Sequence, residues 1–150
     1  MSEVFKSLEW SSECETGNAL IDSQHRMLVL LCRKLELAYA GGLEKKVIAG
    51  LCLELRKFVD FHFVSEENVM REVGYPGLYH HANAHWHLLT ELDNLIGKVN
   101  LGSEAPTALL TTMSEWLLGH IRGDDARLAN YIRSSGNRAL AEAEYGLYLR

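Results

Sequence analysis

Apolar residues recur at alternating spacings of three and four along most of this chain, and this helical period constrains the fold more than any other feature of the sequence. Four such stripes are present, and breaks containing glycine or proline separate them. They cover residues 21–39, 47–73, 78–99 and 109–132. Because short breaks between long helices favour antiparallel neighbours, the pattern predicts an all-α fold, an up-down-up-down antiparallel four-helix bundle. No strand-like alternation of useful length interrupts it.

The length of 150 residues suits one domain with its own hydrophobic core. We therefore expect a single domain over residues 1–150. An arm over residues 1–17 would precede the bundle, and the bundle itself would extend over about 18–134. Residues 137–150 are predicted to form a short C-terminal helix.

Composition argues against several classes of partner. The net charge is −5 and no basic cluster is present, so we expect no nucleic-acid partner. The longest strictly apolar run, residues 27–32, is too short to cross a membrane, and the first residues do not resemble a secretory signal. The three cysteines form no Cys-x-x-Cys pair, which indicates free thiols and a reducing cytoplasm.

Residues with metal-binding side chains interrupt the apolar stripes. Six of them occupy stripe positions, namely His25, His62, Glu66, His81, His85 and His120. Two residues four positions apart, such as His81 and His85, lie on the same face of a helix and can reach one metal or two adjacent metals.

These stripe positions predict a metal site inside the bundle. A single buried histidine is more often a core residue satisfied by a hydrogen bond. Five of them together with a buried glutamate would leave many polar atoms unpaired in one place unless a metal were bound. Imidazole and carboxylate suit a first-row metal such as iron, with zinc, manganese or copper as competitors.

The carboxylate that follows His120 is ambiguous in the sequence. Helix phase favours Asp124, four residues further on, whereas Asp125 would need a distorted turn or an approach from the helix end. Spacing alone leaves both open.

Three neighbouring polar residues are predicted to lie at the surface. His80 and His87 have no helical partner at metal-ligand spacing, and Glu67 is one position off the stripe. We therefore expect none of the three to bind the metal.

The segments that carry these residues resemble those of bacterial hemerythrins. They read LEW, TGNALIDSQHRML, HFVSEENVM, GYPGLYHHANAH and WLLGHIRGDD, and the resemblance extends over about residues 10–132. It implies a hemerythrin-like domain that binds two iron ions joined by a bridging oxo or hydroxo group. The ligands that it implies are His81, His85 and His120 on one iron, His25 and His62 on the other, and Glu66 and Asp125 as bridges. Asp125 is preferred because the family spaces its last histidine and aspartate five residues apart.

The same resemblance implies an apolar oxygen pocket, formed by Leu28, Phe63, Trp116, Leu117 and Ile121. The iron with two histidines is one ligand short, and an open position is where a small ligand binds. The expected function is reversible binding of dioxygen for carriage, storage or delivery in the cytoplasm, without enzymatic activity. Small anions such as azide would compete with dioxygen for the open position.

Two other functions remain open from the sequence. One is an oxygen or redox sensor that signals through a separate partner protein. The other is an enzyme that consumes peroxide or nitric oxide at the same site. The chain has His-x-x-x-Glu and His-x-x-x-His pairs rather than the Glu-x-x-His pairs of ferritin-like di-iron proteins, so oxygen activation is disfavoured.

Overall fold

The structure is a computed structural model that describes residues 9–135. A short 3-10 turn, Ser12–Cys14, precedes the helices. The α-helices are α1 Ala19–Ala40, α2 Lys45–Glu72, α3 Leu78–Asn100, α4 Pro106–His120 and α5 Ala126–Ser134. A π-helical turn, Ile121–Asp125, joins α4 to α5, so these two helices form one continuous fourth rod. The predicted antiparallel four-helix bundle is confirmed, and the described part of the chain contains no strand.

The four rods pack as a closed square. α1 contacts α2 and α4, and α3 contacts the same two helices on the other side. The predicted C-terminal helix and the first eight residues of the predicted arm lie outside the described residues. Within residues 9–135, no helix is both long and apolar enough to cross a membrane.

The start of α1 is held by side chains that bind the preceding backbone. Asn18 accepts a hydrogen bond from the Ile21 amide at 3.0 Å, as an N-cap residue does. Asp22 accepts hydrogen bonds from the amide and hydroxyl of Thr16 at 2.8 and 2.7 Å. These contacts fasten the end of the arm to α1 and fix the direction in which α1 enters the bundle.

Two apolar clusters fill the bundle, and a polar layer separates them along the helices. The smaller cluster contains Ile21, Val69 and Leu128, and the larger contains Leu28, Phe63 and Ile121. On each rod, the predicted metal ligands fall between members of the two clusters. Since both ends of this layer are closed by apolar side chains, its polar groups are shielded from water.

Candidate metal centre

Seven buried side chains from all four rods meet in this polar layer. None is more than 5% exposed. They are His25 on α1, His62 and Glu66 on α2, His81 and His85 on α3, His120 at the end of α4, and Asp125 at the end of the π turn. All seven residues predicted as ligands are therefore brought together.

The seven side chains form two overlapping groups of potential ligand atoms. The atoms of each group lie within 4.8 Å of one another. One group contains Glu66, His81, His85, His120 and Asp125, and the other contains His25, His62, Glu66 and Asp125. Because both carboxylates belong to both groups, the layer can hold two ions that share them, with three imidazoles on one side and two on the other.

The π turn explains how two consecutive aspartates both reach His120. In a regular α-helix, a residue five positions ahead points away from its starting residue, whereas a π turn brings positions i and i+5 together. Asp125 Oδ1 lies 2.9 Å from Nε2 of His120, the nitrogen that faces the layer. Asp124 Oδ2 lies 3.2 Å from the opposite nitrogen, Nδ1. Asp125 is fully buried and faces the other candidate ligands, whereas Asp124 lies on the opposite side of the His120 ring.

The inward nitrogens of the other four imidazoles also lie beside the two carboxylates. Asp125 oxygens are 2.8 Å from His25 Nε2 and 3.0 Å from His81 Nε2. Glu66 Oε1 is 3.2 Å from both His62 Nε2 and His85 Nε2. All five histidines thus direct the same ring nitrogen, Nε2, into the layer.

The hydrogen bonding of this layer is incomplete without a cation. Both oxygens of Glu66 and of Asp125, and the Nε2 atoms of His25, His62 and His81, make no hydrogen bond to any described residue. Several of these atoms are close together, but their angles do not suit hydrogen bonds. A buried polar atom without a partner costs about 1–3 kcal/mol. Metal ions would supply the missing partners.

Two imidazoles face each other in a way that also favours a cation. His85 Nε2 and His120 Nε2 are 3.2 Å apart. Their outer nitrogens lie beside Glu67 and Asp124, at 3.3 and 3.2 Å. When each outer nitrogen donates its hydrogen to the carboxylate, both inner nitrogens present lone pairs to each other. A positive ion between them would remove that repulsion.

The electrostatics of the layer keep both carboxylates ionised. Burial alone would raise the pKa of Glu66, but His62, His81 and His85 hold the pKa of that carboxyl well below its usual range. Burial and Glu66 likewise oppose ionisation of Asp125, yet neighbouring histidines lower its pKa. Two carboxylates with lowered pKa give the layer negative charge that a bound cation would neutralise.

The protonation of the imidazoles depends on their position. Burial lowers the pKa of His85. Burial also disfavours the charged form of His81, but the Asp125 and Glu66 carboxylates, with oxygens 3.0 and 3.7 Å from His81 Nε2, outweigh it and raise the pKa of His81 to about 10. In the metal-free fold, His81 therefore carries a positive charge that offsets one of the two carboxylates.

The residues predicted to form the oxygen pocket pack together on the larger apolar cluster beside the polar layer. They are Leu28, Phe63, Trp116, Leu117 and Ile121, and all except the half-buried Trp116 are at most 2% exposed. Phe63 stacks on the His85 ring at 3.7 Å, and Trp116 stacks on the His120 ring at 4.1 Å. An apolar wall therefore covers one side of the layer.

Gln24, Glu67 and Asp124 contact the outer nitrogens of the imidazoles, a role that the sequence alone does not assign to any of them. The expectation of a surface position for Glu67 is wrong, because its side chain is only 23% exposed and contacts His85. Gln24 Oε1 lies 2.6 Å from His62 Nδ1. In the sequence, Asp124 is a candidate ligand, and its i+4 spacing from His120 indicates the contact that the structure shows. For Gln24 the sequence offered no signal, since the contact joins two helices.

His80 and His87 are exposed, as predicted. His80 reaches Asp124, with 3.6 Å between Nε2 and Oδ1, but it does not enter the polar layer.

A closed bundle of four rods around a buried layer of imidazoles and carboxylates defines a metal-binding four-helix-bundle protein. The family model described as Hemerythrin HHE cation binding domain matches residues 16–132, and the chain belongs to this family.

Similar proteins and structures span nearly the same length. A bacteriohemerythrin of Stenotrophomonas maltophilia (strain R551-3) is 28% identical over 142 residues, which are 95% of this chain and 92% of that protein. A bacteriohemerythrin of Pseudomonas aeruginosa (strain LESB58) is 29% identical over 142 residues, with the same shares. A crystal structure of wild-type hemerythrin is 26% identical, with a TM-score of 0.76, and covers 82% of this chain and 95% of its own.

Proposed function

We propose that this protein holds two iron ions and binds dioxygen reversibly, for carriage, storage or delivery. The observation that carries the proposal is the pair of overlapping ligand groups, which share Glu66 and Asp125 but contain different numbers of imidazoles. Membership of the hemerythrin family supports iron as the metal.

The proposed ligands follow the two groups. His81, His85 and His120 would hold one iron, and His25 and His62 the other. Glu66 and Asp125 would bridge the ions, with an oxo or hydroxo group as a further bridge. When bound, the iron pair supplies two electrons to dioxygen and recovers them when dioxygen leaves. Because one group contains only two imidazoles, an iron held there would have one ligand fewer, and dioxygen or a small anion such as azide would bind on that side.

The apolar wall would protect bound dioxygen. Leu28, Leu117 and Ile121 are buried beside the ligands and offer no hydrogen bond. Their side chains would exclude water and prevent protons from reaching the bound oxygen. Because protonation promotes irreversible oxidation of the iron, this exclusion favours a carrier over an enzyme.

We further propose that the protein acts in the cytoplasm. Cys14, Cys32 and Cys52 are all buried and free, so the fold uses no disulfide. Free thiols of this kind are typical of a reducing compartment.

The decisive experiment combines metal analysis with visible spectra of the reduced protein before and after air is admitted. We expect about two irons per chain and an absorption band that appears with oxygen and disappears under vacuum. One zinc per chain, in protein made with iron available, would contradict the proposal. A band that cannot be reversed, because the iron oxidises rapidly, would contradict carriage and favour a sensor or an enzyme.

A further inference from the structure

The outer nitrogens of the imidazoles have different partners in the two ligand groups. In the group with three histidines, His85 Nδ1 lies 3.3 Å from Glu67 Oε2, and His120 Nδ1 lies 3.2 Å from Asp124 Oδ2. Two of its three imidazoles therefore have a carboxylate next to Nδ1.

In the group with two histidines, neither imidazole is backed by a carboxylate. His62 Nδ1 lies 2.6 Å from Oε1 of Gln24, a neutral amide. His25 Nδ1 has no hydrogen-bond partner among residues 9–135. Gln24 is buried, and its Nε2 donates to Ser65 Oγ at 3.0 Å, which orients the amide oxygen towards His62. The hydrogen on Nδ1 of His62 then leaves Nε2 free to bind a metal.

The charge of these partners affects how strongly each imidazole donates electrons. A ligand imidazole that donates its hydrogen to a carboxylate becomes more basic. The negative charge also stabilises the more positive oxidation state of the metal. A neutral amide holds the ring in place, but it raises the basicity of the imidazole less and stabilises the oxidised metal less than a carboxylate does.

We propose that Gln24 is a positioning residue that keeps oxygen binding at the two-histidine iron weak enough to reverse. It does so by presenting a neutral acceptor to His62, whereas the three-histidine group has carboxylates behind its rings. The inference rests on the proposed function, because it concerns the rate at which dioxygen leaves that site.

The test is Gln24→Glu, which keeps the length and the acceptor oxygen but adds a negative charge behind His62. We expect unchanged iron content, a midpoint potential of the iron pair shifted to a more negative value, and dioxygen release slowed about tenfold. The energy of the azide charge-transfer band should also shift, since azide binds the same iron. A variant with full iron content but unchanged potential and release rate would overturn the inference.

Glu67→Gln is the matched variant, because it removes a charge behind His85 where the first variant adds one behind His62. We expect the potential to shift in the positive direction and dioxygen release to become faster. An unchanged potential in this variant would also overturn the inference, even if Gln24→Glu failed to fold. Failure of the parent protein to load two irons or to release dioxygen would instead contradict the proposed function.

Discussion

At the residue scale, Leu117 combines complete burial with a position one turn before the proposed ligand His120. Its side chain packs with Leu28, Phe63 and Ile121 in the apolar cluster beside the polar layer. Leu117 supplies no ligand atom, so its contribution is to fill space that water would otherwise enter.

Leu117→Ala should shorten the lifetime of the oxygenated state severalfold while iron content stays unchanged. The shorter side chain leaves a cavity next to the metal layer, through which water and protons can approach. The cavity should also lower the free energy of unfolding by about 2–5 kcal/mol. The measurement is the decay of the oxygen-dependent absorption band, with iron determined in the same samples.

Leu109→Ala provides a matched control for this experiment. Leu109 is also completely buried in α4 and belongs to the same apolar cluster, but it lies three turns from His120. It should show a similar loss of stability with a normal lifetime. If both variants shorten the lifetime equally, general loosening of the bundle rather than the local wall controls oxidation.

At the scale of the elements, the sequence predicted the helices well because the period of three to four is a property of every turn. The stripes at 21–39 and 47–73 correspond to α1 Ala19–Ala40 and α2 Lys45–Glu72. The helical period predicted burial incorrectly only at positions near helix ends. Tyr39 and Val47 lie on the predicted stripes, within two residues of a helix end, but are each 43% exposed.

The choice between the two aspartates could not be made from the sequence by helix phase. A π turn changes the phase by one residue, and nothing in the letters IRGDD marks it as other than α-helical. The resemblance to hemerythrins, rather than the period, indicated Asp125. The contacts of Gln24 and Glu67 were missed for a different reason, since they depend on how side chains of separate helices meet.

The π turn predicts different outcomes for the two aspartates. Asp125→Ala should empty the site, because its carboxylate belongs to both ligand groups. Asp124→Ala removes the acceptor beside His120 Nδ1, together with the surface contacts of Asp124 to His80 and Arg127, and should weaken iron binding about 10-fold to 100-fold. Iron content after dialysis against a graded series of chelator concentrations measures both effects. Retention of iron by Asp125→Ala, together with its loss from Asp124→Ala, would show that Asp124 is the ligand.

At the scale of the whole molecule, the polar layer couples folding to metal binding and to pH. Its groups come from all four rods, so the layer exists only in the folded chain. Without metal, the protonated imidazole of His81 offsets part of the negative charge of the two carboxylates.

The metal-free protein should lose stability as the pH rises from 6.5 to 10. The pKa of His81 increases from its usual 6.5 to about 10 in the fold, so the folded chain binds more protons than the unfolded chain between these values. The stabilisation is complete below the lower value and is lost as the pH approaches the upper one. Urea unfolding of the iron-free protein across this range measures the slope.

Two controls isolate the contribution of His81. His81→Gln should remove most of the slope between pH 6.5 and 9 in the metal-free protein, because glutamine does not titrate. Above pH 9 the Cys32 thiol, whose pKa is raised by burial, also contributes. The iron-loaded parent should lack the slope as well, since iron binds the deprotonated imidazole. A metal-free parent that becomes more stable as the pH rises through this range would contradict the charge balance assigned to the layer.

The π turn between α4 and α5 also has an evolutionary consequence. It contains one residue more than the α-helical turn that it replaces. Deletion of a single codon within residues 121–124 would restore a continuous α-helix and leave the following residues facing the same way. Asp125 would then follow the histidine by four positions instead of five. Chains with His-x-x-x-Asp and His-x-x-x-x-Asp at this point can therefore be variants of one ancestral helix, separated by one insertion.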